Sequence, residues 1–245
     1  MRVVVTPPGR TVLLTGAAGG LGRVLAARFT DGGDRVVAVD RDAAALADLA
    51  SQVDVVPVVA DVSSRDDVER AVAEAGRVDV MVNNAAVVDR LGAAHEVDPD
   101  EWDLLVAVNL TAPYLFCHAV LPAMIKRGAG TIVNVASITG LRGGRAGAAY
   151  TASKHGLVGL TINIAATTGH LGIRSNAVCP GSIDTGMQAL GEVFDSGRET
   201  LARDRRKPPP VAPGLIADVV TFLASDAAAG INGVALPADS GTLAF

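Results

Sequence analysis

The sequence predicts an α/β protein built on one doubly wound parallel sheet of about seven strands, with helices on both faces. Three observations carry this prediction. Short β-branched runs alternate with longer Ala- and Leu-rich stretches over nearly the whole chain. Most short runs are continuously apolar, which is typical of parallel strands buried on both faces. Hydrophobic residues make up 49% of the 245 residues and charged residues 19%, so one core can form and disorder is excluded.

The elements follow one another in a regular strand–helix order. The predicted strands are 11–14, 35–39, 54–59, 78–82, 131–135, 174–178 and 234–236. The predicted helices are 21–30, 43–49, 65–75, 99–126, 149–168 and 215–224. Asp98, Pro99 and Glu101 form a helix start, with a capping carboxylate, a proline at the first position and a glutamate at the third. Right-handed crossovers then place ligand-binding loops beyond the carboxyl ends of the strands.

One segment departs from the alternation. Residues 185–213 are polar and charged and contain Pro208-Pro209-Pro210. No low-complexity stretch or linker divides the chain, so we expect a single domain over 1–245. We interpret 185–213 as a lid within that domain, whose apolar positions Met187, Leu190, Val193 and Phe194 cover a small substrate.

The composition excludes several classes of function. The formal charge is −5, with 21 basic and 26 acidic residues, so the basic excess of a nucleic-acid-binding protein is missing. The apolar stretches are short compared with the roughly 18 residues of a membrane span, and the first ten residues lack a signal-peptide apolar region. Cys117 and Cys179 are far apart and predict neither a disulfide framework nor a metal site. We therefore expect a soluble cytoplasmic protein without a metal.

A glycine-rich turn follows the first predicted strand and runs directly into a helix. Glycines in such a turn let the backbone approach a pyrophosphate, whose charge suits the helix N-terminus. The spacing of Gly16, Gly20 and Gly22 is GxxxGxG, and no Gly-Lys-Ser/Thr follows, which disfavours a P-loop. A turn of this kind is also found with a purely structural role. The expected phosphate-binding residues are Gly16, Gly19, Gly20, Leu21 and Gly22.

Asp40 ends the second predicted strand, about 20 residues after the glycines, where a carboxylate accepts hydrogen bonds from the adenosine ribose. The same charge repels a 2′-phosphate, so it favours NAD over NADP. Arg41 follows directly and would weaken that preference. An ordinary turn residue is the alternative interpretation of Asp40.

Further motifs recur at the predicted strand ends. They are TGAAGGLG at 15–22, Asp61-Val62, Asn83-Asn84-Ala85-Ala86, Asn109, Ser137, Tyr150-Thr151-Ala152-Ser153-Lys154, Pro180-Gly181 and Thr185. With these motifs in this order, the chain resembles the short-chain dehydrogenases/reductases across essentially its whole length. Ala86 and Ser240 stand where that family usually has glycine. The resemblance implies a Rossmann-type fold and an NAD(P)-dependent oxidoreductase.

Tyr150 and Lys154 lie four apart on a predicted helix, so both side chains reach one ligand. A free tyrosine has a pKa of about 10, and a neighbouring ammonium and an oxidised nicotinamide ring would both favour tyrosinate. The resemblance implies the roles. Tyr150 exchanges a proton with the substrate oxygen, Lys154 holds the nicotinamide ribose, Ser137 bonds the reacting oxygen, and Asn109 holds a relay water.

The resemblance also implies the remaining contacts. Asp61 and Val62 would meet the adenine, although Asp61 is alternatively a helix cap. Asn83 would meet the adenosine side through its main chain, and Thr185 the nicotinamide carboxamide. Other expected cofactor contacts are Ala85, Pro180, Gly181 and Ile183, and the expected substrate contacts are Ser137, Thr139, Leu141 and Met187.

These residues predict an enzyme that oxidises a secondary alcohol with NAD or reduces the matching ketone. A 3-oxoacyl-[acyl-carrier-protein] reductase is the alternative within the family, disfavoured by Asp40 and by Leu171 at a usually basic position, and favoured by Lys126-Arg127. A catalytically silent NAD-sensing protein is the alternative from another class. Family resemblance implies a homotetramer, or a homodimer, through helices 99–126 and 149–168, and Trp102 is expected in the core.

Overall fold

The computed structural model describes residues 9–186, 189–203 and 209–244. These residues form a seven-stranded sheet in the order β3-β2-β1-β4-β5-β6-β7. The strands are β1 (Thr11–Thr15), β2 (Arg35–Asp40), β3 (Val55–Val59), β4 (Val80–Asn83), β5 (Gly130–Val135), β6 (Ile173–Pro180) and β7 (Ala235–Ala238). All six neighbouring pairs are parallel. The predicted fold class is confirmed.

Eight α-helices are described. They are α1 (Gly20–Asp31), α2 (Ala43–Gln52), α3 (Arg65–Ala75), α4 (Pro99–Val106), α5 (Ala112–Arg127), α6 (Ala148–Thr168), α7 (Asp195–Arg203) and α8 (Pro213–Ala224). Two apolar layers cover the sheet, since α1 and α8 pack on one face and α3 and α5 on the other. The strand order reverses between β1 and β4, and such a switch point opens a crevice at the carboxyl ends of the strands.

The predicted helix 99–126 is interrupted in the structure. A π-helical turn, Ala107–Thr111, separates α4 from α5. The extra residue of a π turn changes which side chains face the sheet, and such turns often lie at functional sites. Hydrophobic periodicity does not reveal a single inserted residue, so the sequence predicts one continuous helix here.

Within the described residues, the helical stretch Pro99–Arg127 is long and apolar enough to cross a membrane by length and composition. The sequence expectation of short apolar stretches overlooks this helix because scattered polar residues interrupt its apolar runs. Half of the window is buried inside the protein, where Phe116, Val120 and Met124 belong to one apolar layer. Its apolar composition is that of a core helix.

Two further expectations differ from the structure. Trp102, expected in the core, is 41% exposed on α4. An apolar residue on a partly apolar helix need not face the sheet, and here Leu105 is the buried residue of α4. The segment 185–213 contains helix α7, which its polar composition did not predict.

Candidate active site

A cleft of about 330 Å³ lies beyond the carboxyl ends of β1 to β4. Its walls contain the glycine turn, the ends of β2 and β3, and the loop after β4. The lining residues are Gly16, Gly19, Gly20, Leu21, Gly22, Asp40, Arg41, Ala60, Asp61, Val62, Asn84, Ala85, Ala86, Val87, Val108, Thr185 and Gly186. The fold therefore brings together most of the predicted cofactor residues.

The glycine turn leaves the N-terminus of α1 open toward the cleft. Gly19 is the N-cap residue and no side chain caps the helix. A Cβ on Gly20 would lie 2.6 Å from the Thr185 carbonyl oxygen, and one on Gly22 would collide with the Gly16 carbonyl oxygen. Glycine is therefore required for the turn to close. Uncapped N–H groups at a helix start are an anion site, so this turn fits a dinucleotide pyrophosphate.

Asp40 is fixed at the edge of the same cleft. One carboxylate oxygen accepts a hydrogen bond from the Ala18 amide at 2.9 Å, and the other accepts from the Asp42 amide at 3.1 Å. These bonds hold a negative charge between the glycine turn and the end of β2. Arg41 also lines the cleft and is exposed.

The ends of β3 and β4 form the opposite wall. Asp61 lines the cleft, and one of its carboxylate oxygens accepts from the Ser63 amide at 2.9 Å and the Ser63 hydroxyl at 2.7 Å. Local turn formation thus uses one oxygen of Asp61. Asn83, predicted to meet the adenosine side through its main chain, has a buried side chain whose Nδ2 donates to Asn134 Oδ1 at 2.8 Å. The neighbouring Asn84, which the sequence analysis does not single out, lines the cleft.

Ser137, Tyr150 and Lys154 converge on a second cavity of about 230 Å³, which shares Leu21, Asn84, Ala86 and Thr185 with the cleft. Ser137 follows β5, and the other two lie on one face of α6. Lys154 is buried, and its Nζ donates to the Val135 carbonyl at 2.9 Å and lies 5.5 Å from the centre of the Tyr150 ring. Further lining residues are Val88, Val135, Ala136, Pro180, Gly181, Ser182 and Ile183.

Asn109 lies in the π turn and is fully buried. Its Oδ1 accepts from the Val87 amide and its Nδ2 donates to the Val87 carbonyl, both at 2.9 Å. The same Nδ2 is 3.4 Å from Ser153 Oγ. Asn109 therefore ties the π turn to the loop after β4 and to helix α6.

The ionisation of Tyr150 and Lys154 is strongly perturbed in this cavity. Burial raises the pKa of Tyr150 to about 12, and the Asp89 carboxylate adds to the rise while a hydrogen bond with Ser137 opposes it. Burial lowers the pKa of Lys154 to about 8. The sequence predicts a tyrosine pKa lowered by Lys154 and an oxidised nicotinamide together. In the cofactor-free protein burial dominates, and the pKa of Tyr150 is raised.

A third cavity of about 500 Å³ opens next to Ser137 and Tyr150. Thr139 lines it, as expected of a substrate contact. Leu141 is partly buried and packs against the buried cluster that contains Leu157 and Val158. Met187 lies outside the described residues. Leu201, Pro209, Pro210 and Val211 of the predicted lid line this cavity, as does Arg145. Lining residues that the sequence did not predict are Val88, Leu91, Ile138, Ala146, Ser182, Asp239 and Thr242.

The segment 185–213 contributes several of those residues. Leu201, Pro209, Pro210 and Val211 line the 500 Å³ cavity, whereas Phe194 packs on Arg90, whose guanidinium lies 4.5 Å from the ring centre. The cavity thus has an apolar wall from this segment. Within the described residues, no group of three or more His, Cys, Asp and Glu is arranged to hold a metal.

Comparison with known proteins identifies the class that this fold and site define. The family model for short chain dehydrogenases matches residues 10–192. 3beta-Hydroxysteroid dehydrogenase 2 of Eggerthella lenta is 40% identical over 97% of this chain and 96% of its own length. The chain belongs to the short-chain dehydrogenase/reductase family, whose members are NAD(P)-dependent oxidoreductases of alcohols and ketones.

Two further proteins show the breadth of this similarity. 2-(R)-Hydroxypropyl-CoM dehydrogenase of Xanthobacter autotrophicus is 39% identical over 94% of this chain and 97% of its own. A crystal structure described as an NAD(P)-dependent gluconate 5-dehydrogenase from Beutenbergia cavernae, with NADP bound at low occupancy, superposes with a TM-score of 0.86. It is 34% identical and covers 99% of this chain and 100% of its own. This chain is accordingly an oxidoreductase that interconverts secondary alcohols and ketones.

Proposed function

We propose that the chain is an NAD-preferring dehydrogenase in which Tyr150 exchanges the proton with the substrate oxygen. The observation that carries the proposal is the meeting of Ser137, Tyr150 and Lys154 in one cavity between the open glycine turn and the 500 Å³ cavity. A dinucleotide at the turn would direct its nicotinamide toward these three side chains. A substrate carbon in the larger cavity would then lie beside them.

NAD(H), when bound, supplies the hydride acceptor or donor. The chain supplies orientation and proton transfer. Ser137 Oγ would bond the substrate oxygen and stabilise charge that develops there. Tyr150 would take up or give the proton at the same oxygen, and Lys154 would lower the energy of its anion once ligands fill the cavity. Asn109 would hold the loop after β4 in place and carry a relay water.

Asp40 supports a preference for NAD over NADP. Its carboxylate is held by two backbone amides at the cleft edge, so it cannot turn away from an approaching 2′-phosphate without breaking those bonds. Arg41 would recover part of the phosphate affinity. We expect NADH to exceed NADPH in kcat/KM.

Segment 185–213 would act as a lid on the substrate side. Apolar lid residues exclude water from a hydride-transfer site, and Leu201 and Val211 already border the cavity. One wall of this cavity is apolar and includes Leu91, Leu201 and Val211, and another carries the polar side chains of Arg145, Asp239 and Thr242. The apolar wall favours a compact hydrophobic alcohol over an acyl chain carried by a protein. Leu171 is 36% exposed at the surface, where a carrier protein would require a basic residue.

The test is formation of NADH from a panel of secondary alcohols, followed by absorbance, with Tyr150→Phe as the control. NADH formation by the parent chain and its loss in the variant would support the proposal. Cofactor binding without turnover of any alcohol would favour the NAD-sensing alternative, and a preference for NADPH and carrier-bound 3-oxoacyl substrates would favour the reductase alternative.

A homotetramer, or a homodimer, is part of the proposal. Trp102 on α4, Tyr114 on α5 and Ile162 on α6 are each more than 40% exposed, and exposed aromatic and aliphatic side chains favour a protein interface. Light scattering of the purified chain would give the oligomeric state, and Ile162→Glu should reduce the number of subunits.

We also propose a cytoplasmic location, since Cys117 and Cys179 are both free thiols.

A further inference from the structure

Asp89 is a fully buried carboxylate in the loop after β4. Its two oxygens accept three backbone hydrogen bonds, from the Leu91 and Gly147 amides at 3.1 Å and the Tyr150 amide at 3.0 Å. None of the ion pairs found among the described residues includes Asp89. Burying a carboxylate costs free energy unless its oxygens accept hydrogen bonds, so these three amides stabilise the buried Asp89 side chain.

Two of the three amides belong to the start of α6. Gly147 is the N-cap residue and makes no side-chain cap, while Tyr150 is the third residue of the helix. Asp89 therefore caps the helix from a different loop, in the manner of an N-cap carboxylate that binds the third amide. The positive end of the helix dipole adds to the attraction.

The fit between the two segments depends on glycine. A Cβ on Gly147 would collide with Asp89 Oδ2 and would lie 2.7 Å from the Gly92 amide nitrogen. The Ala148 amide donates to the Gly92 carbonyl at 2.9 Å, which adds a backbone bond beside the carboxylate. The loop and the first turn of α6 are thus packed so closely that a side chain at position 147 would push them apart.

The same loop contacts two other parts of the site. Val87 exchanges both backbone hydrogen bonds with Asn109. Val88 pairs with Ala189, and the Arg90 carbonyl accepts from the Phe194 amide at 2.9 Å, so the loop also contacts the described residues just before α7. Asp89 stands between these contacts and binds the residue that carries the proton-transferring side chain.

We propose that Asp89 is a positioning residue, whose carboxylate fixes the first turn of α6, and with it Tyr150, against the loop that binds Asn109 and the lid. The proposal rests on the proposed role of Tyr150. It also has an electrostatic consequence, because a negative charge at this point opposes tyrosinate. The charged groups that face Tyr150 are Lys154 on its own helix, Asp89 on the loop, and Arg145 and Asp239 across the cavity.

The test is Asp89→Asn, which keeps the shape and removes the charge and one acceptor. Because a misplacement of about 1 Å at a reacting group costs on the order of 100-fold, kcat should fall by about 10- to 100-fold. The KM for NAD should stay within about twofold, since the hydrogen bonds of Asp89 go to Leu91, Gly147 and Tyr150 and not to the glycine turn or Asp40. Asp98→Asn is the matched control, because Asp98 caps α4 through the Asp100 amide at 2.9 Å without contacting the cavities.

A second readout is independent of activity. The chain has two tyrosines, so in a Tyr114→Phe background the near-ultraviolet tyrosinate absorbance reports Tyr150 alone. Asp89→Asn should ionise Tyr150 at lower pH than this background. A parent chain that turns over no alcohol would contradict the proposed function, and the titration would still decide the proposal for Asp89.

Gly147→Ala is a second variant that tests the same proposal if Asp89→Asn does not fold. It keeps the charge and displaces the carboxylate from α6, so kcat should fall as in Asp89→Asn, while the tyrosinate titration should shift less than in Asp89→Asn because the negative charge is retained. Parent-like kcat in either variant, or an unchanged titration in Asp89→Asn, would overturn the proposal.

Discussion

Replacing Lys154 with methionine should make the cofactor-free protein more stable at neutral pH while removing its activity. Lys154 is 1% exposed, and its ammonium donates the one described hydrogen bond, to the Val135 carbonyl at 2.9 Å. Methionine has a similar length and no charge. The variant therefore separates what the ammonium does for the reaction from what its burial costs the fold.

The magnitude follows from the pKa. Burial lowers the pKa of Lys154 from 10.5 to about 8, and at about 1.4 kcal/mol for each unit the buried ammonium costs about 3 kcal/mol at pH 7. Methionine leaves the Val135 carbonyl without its donor, which costs about 1 kcal/mol. The free energy of unfolding should therefore rise by about 2 kcal/mol, or roughly 4–8 °C in Tm for a chain of this size.

The sign of the pH dependence is fixed by the direction of the shift. Because the folded pKa of Lys154 is below its unfolded value, the buried lysine is neutral above about pH 10.5 and costs the fold nothing there. The cost of burying its charge grows as pH falls and is complete below about pH 8. The advantage of the methionine variant should thus be full at pH 7 and shrink above pH 8. By pH 10.5 the variant should be slightly less stable than the parent.

Differential scanning calorimetry at pH 7 and in steps to pH 10.5 measures this crossing. Lys126→Met is the matched control, because Lys126 is exposed on α5 and should give no pH-dependent difference. A methionine variant that is less stable than the parent at pH 7, or that keeps a constant advantage across the range, would refute the argument. NADH formation should be lost in Lys154→Met and retained in Lys126→Met.

Three other changes test the site. Asp40→Asn removes the repulsion of a 2′-phosphate and should raise the ratio of NADPH to NADH in kcat/KM by about 10-fold or more; an unchanged ratio would contradict the role of Asp40. Tyr150→Phe should lower kcat by about 100- to 10,000-fold with NADH binding, followed by fluorescence, unchanged; turnover at the parent rate would exclude proton transfer by this residue. Gly22→Ala should lower the free energy of unfolding by about 1–3 kcal/mol and weaken NADH binding, because the alanine Cβ collides with the Gly16 carbonyl oxygen. A variant with the Tm and NADH affinity of the parent would show that the turn can adapt.

The sheet and most helices could be predicted because their signals are local. Continuously apolar strands such as β1 and β2 are buried on both faces. Their regular alternation with helices along the chain then predicts a doubly wound parallel sheet. The π turn at Asn109 and helix α7 could not be predicted, since one depends on a single inserted residue and the other on packing of a polar segment against the loop after β4.

The candidate site divides in the same way. The four-residue spacing on one helix predicts that Tyr150 and Lys154 lie together. The positions of the glycine turn and Asp40 at the ends of neighbouring strands predict that they lie together as well. Leu141 packs against the apolar cluster that contains Leu157, because the direction of its side chain depends on the neighbours that fill the core. Asp89 gave no signal, because nothing in a linear pattern shows that its carboxylate meets a helix start 58 residues away.

By itself, the sequence determined the fold class, the glycine turn and the identity of the residues proposed to transfer the proton. These depend on residue type, period and order along the chain. The tertiary structure alone decided how those residues ionise and what holds them. Burial raises the pKa of Tyr150 and lowers that of Lys154, and the capping carboxylate of Asp89 comes from a different loop, so both effects exist only once distant segments exclude water together.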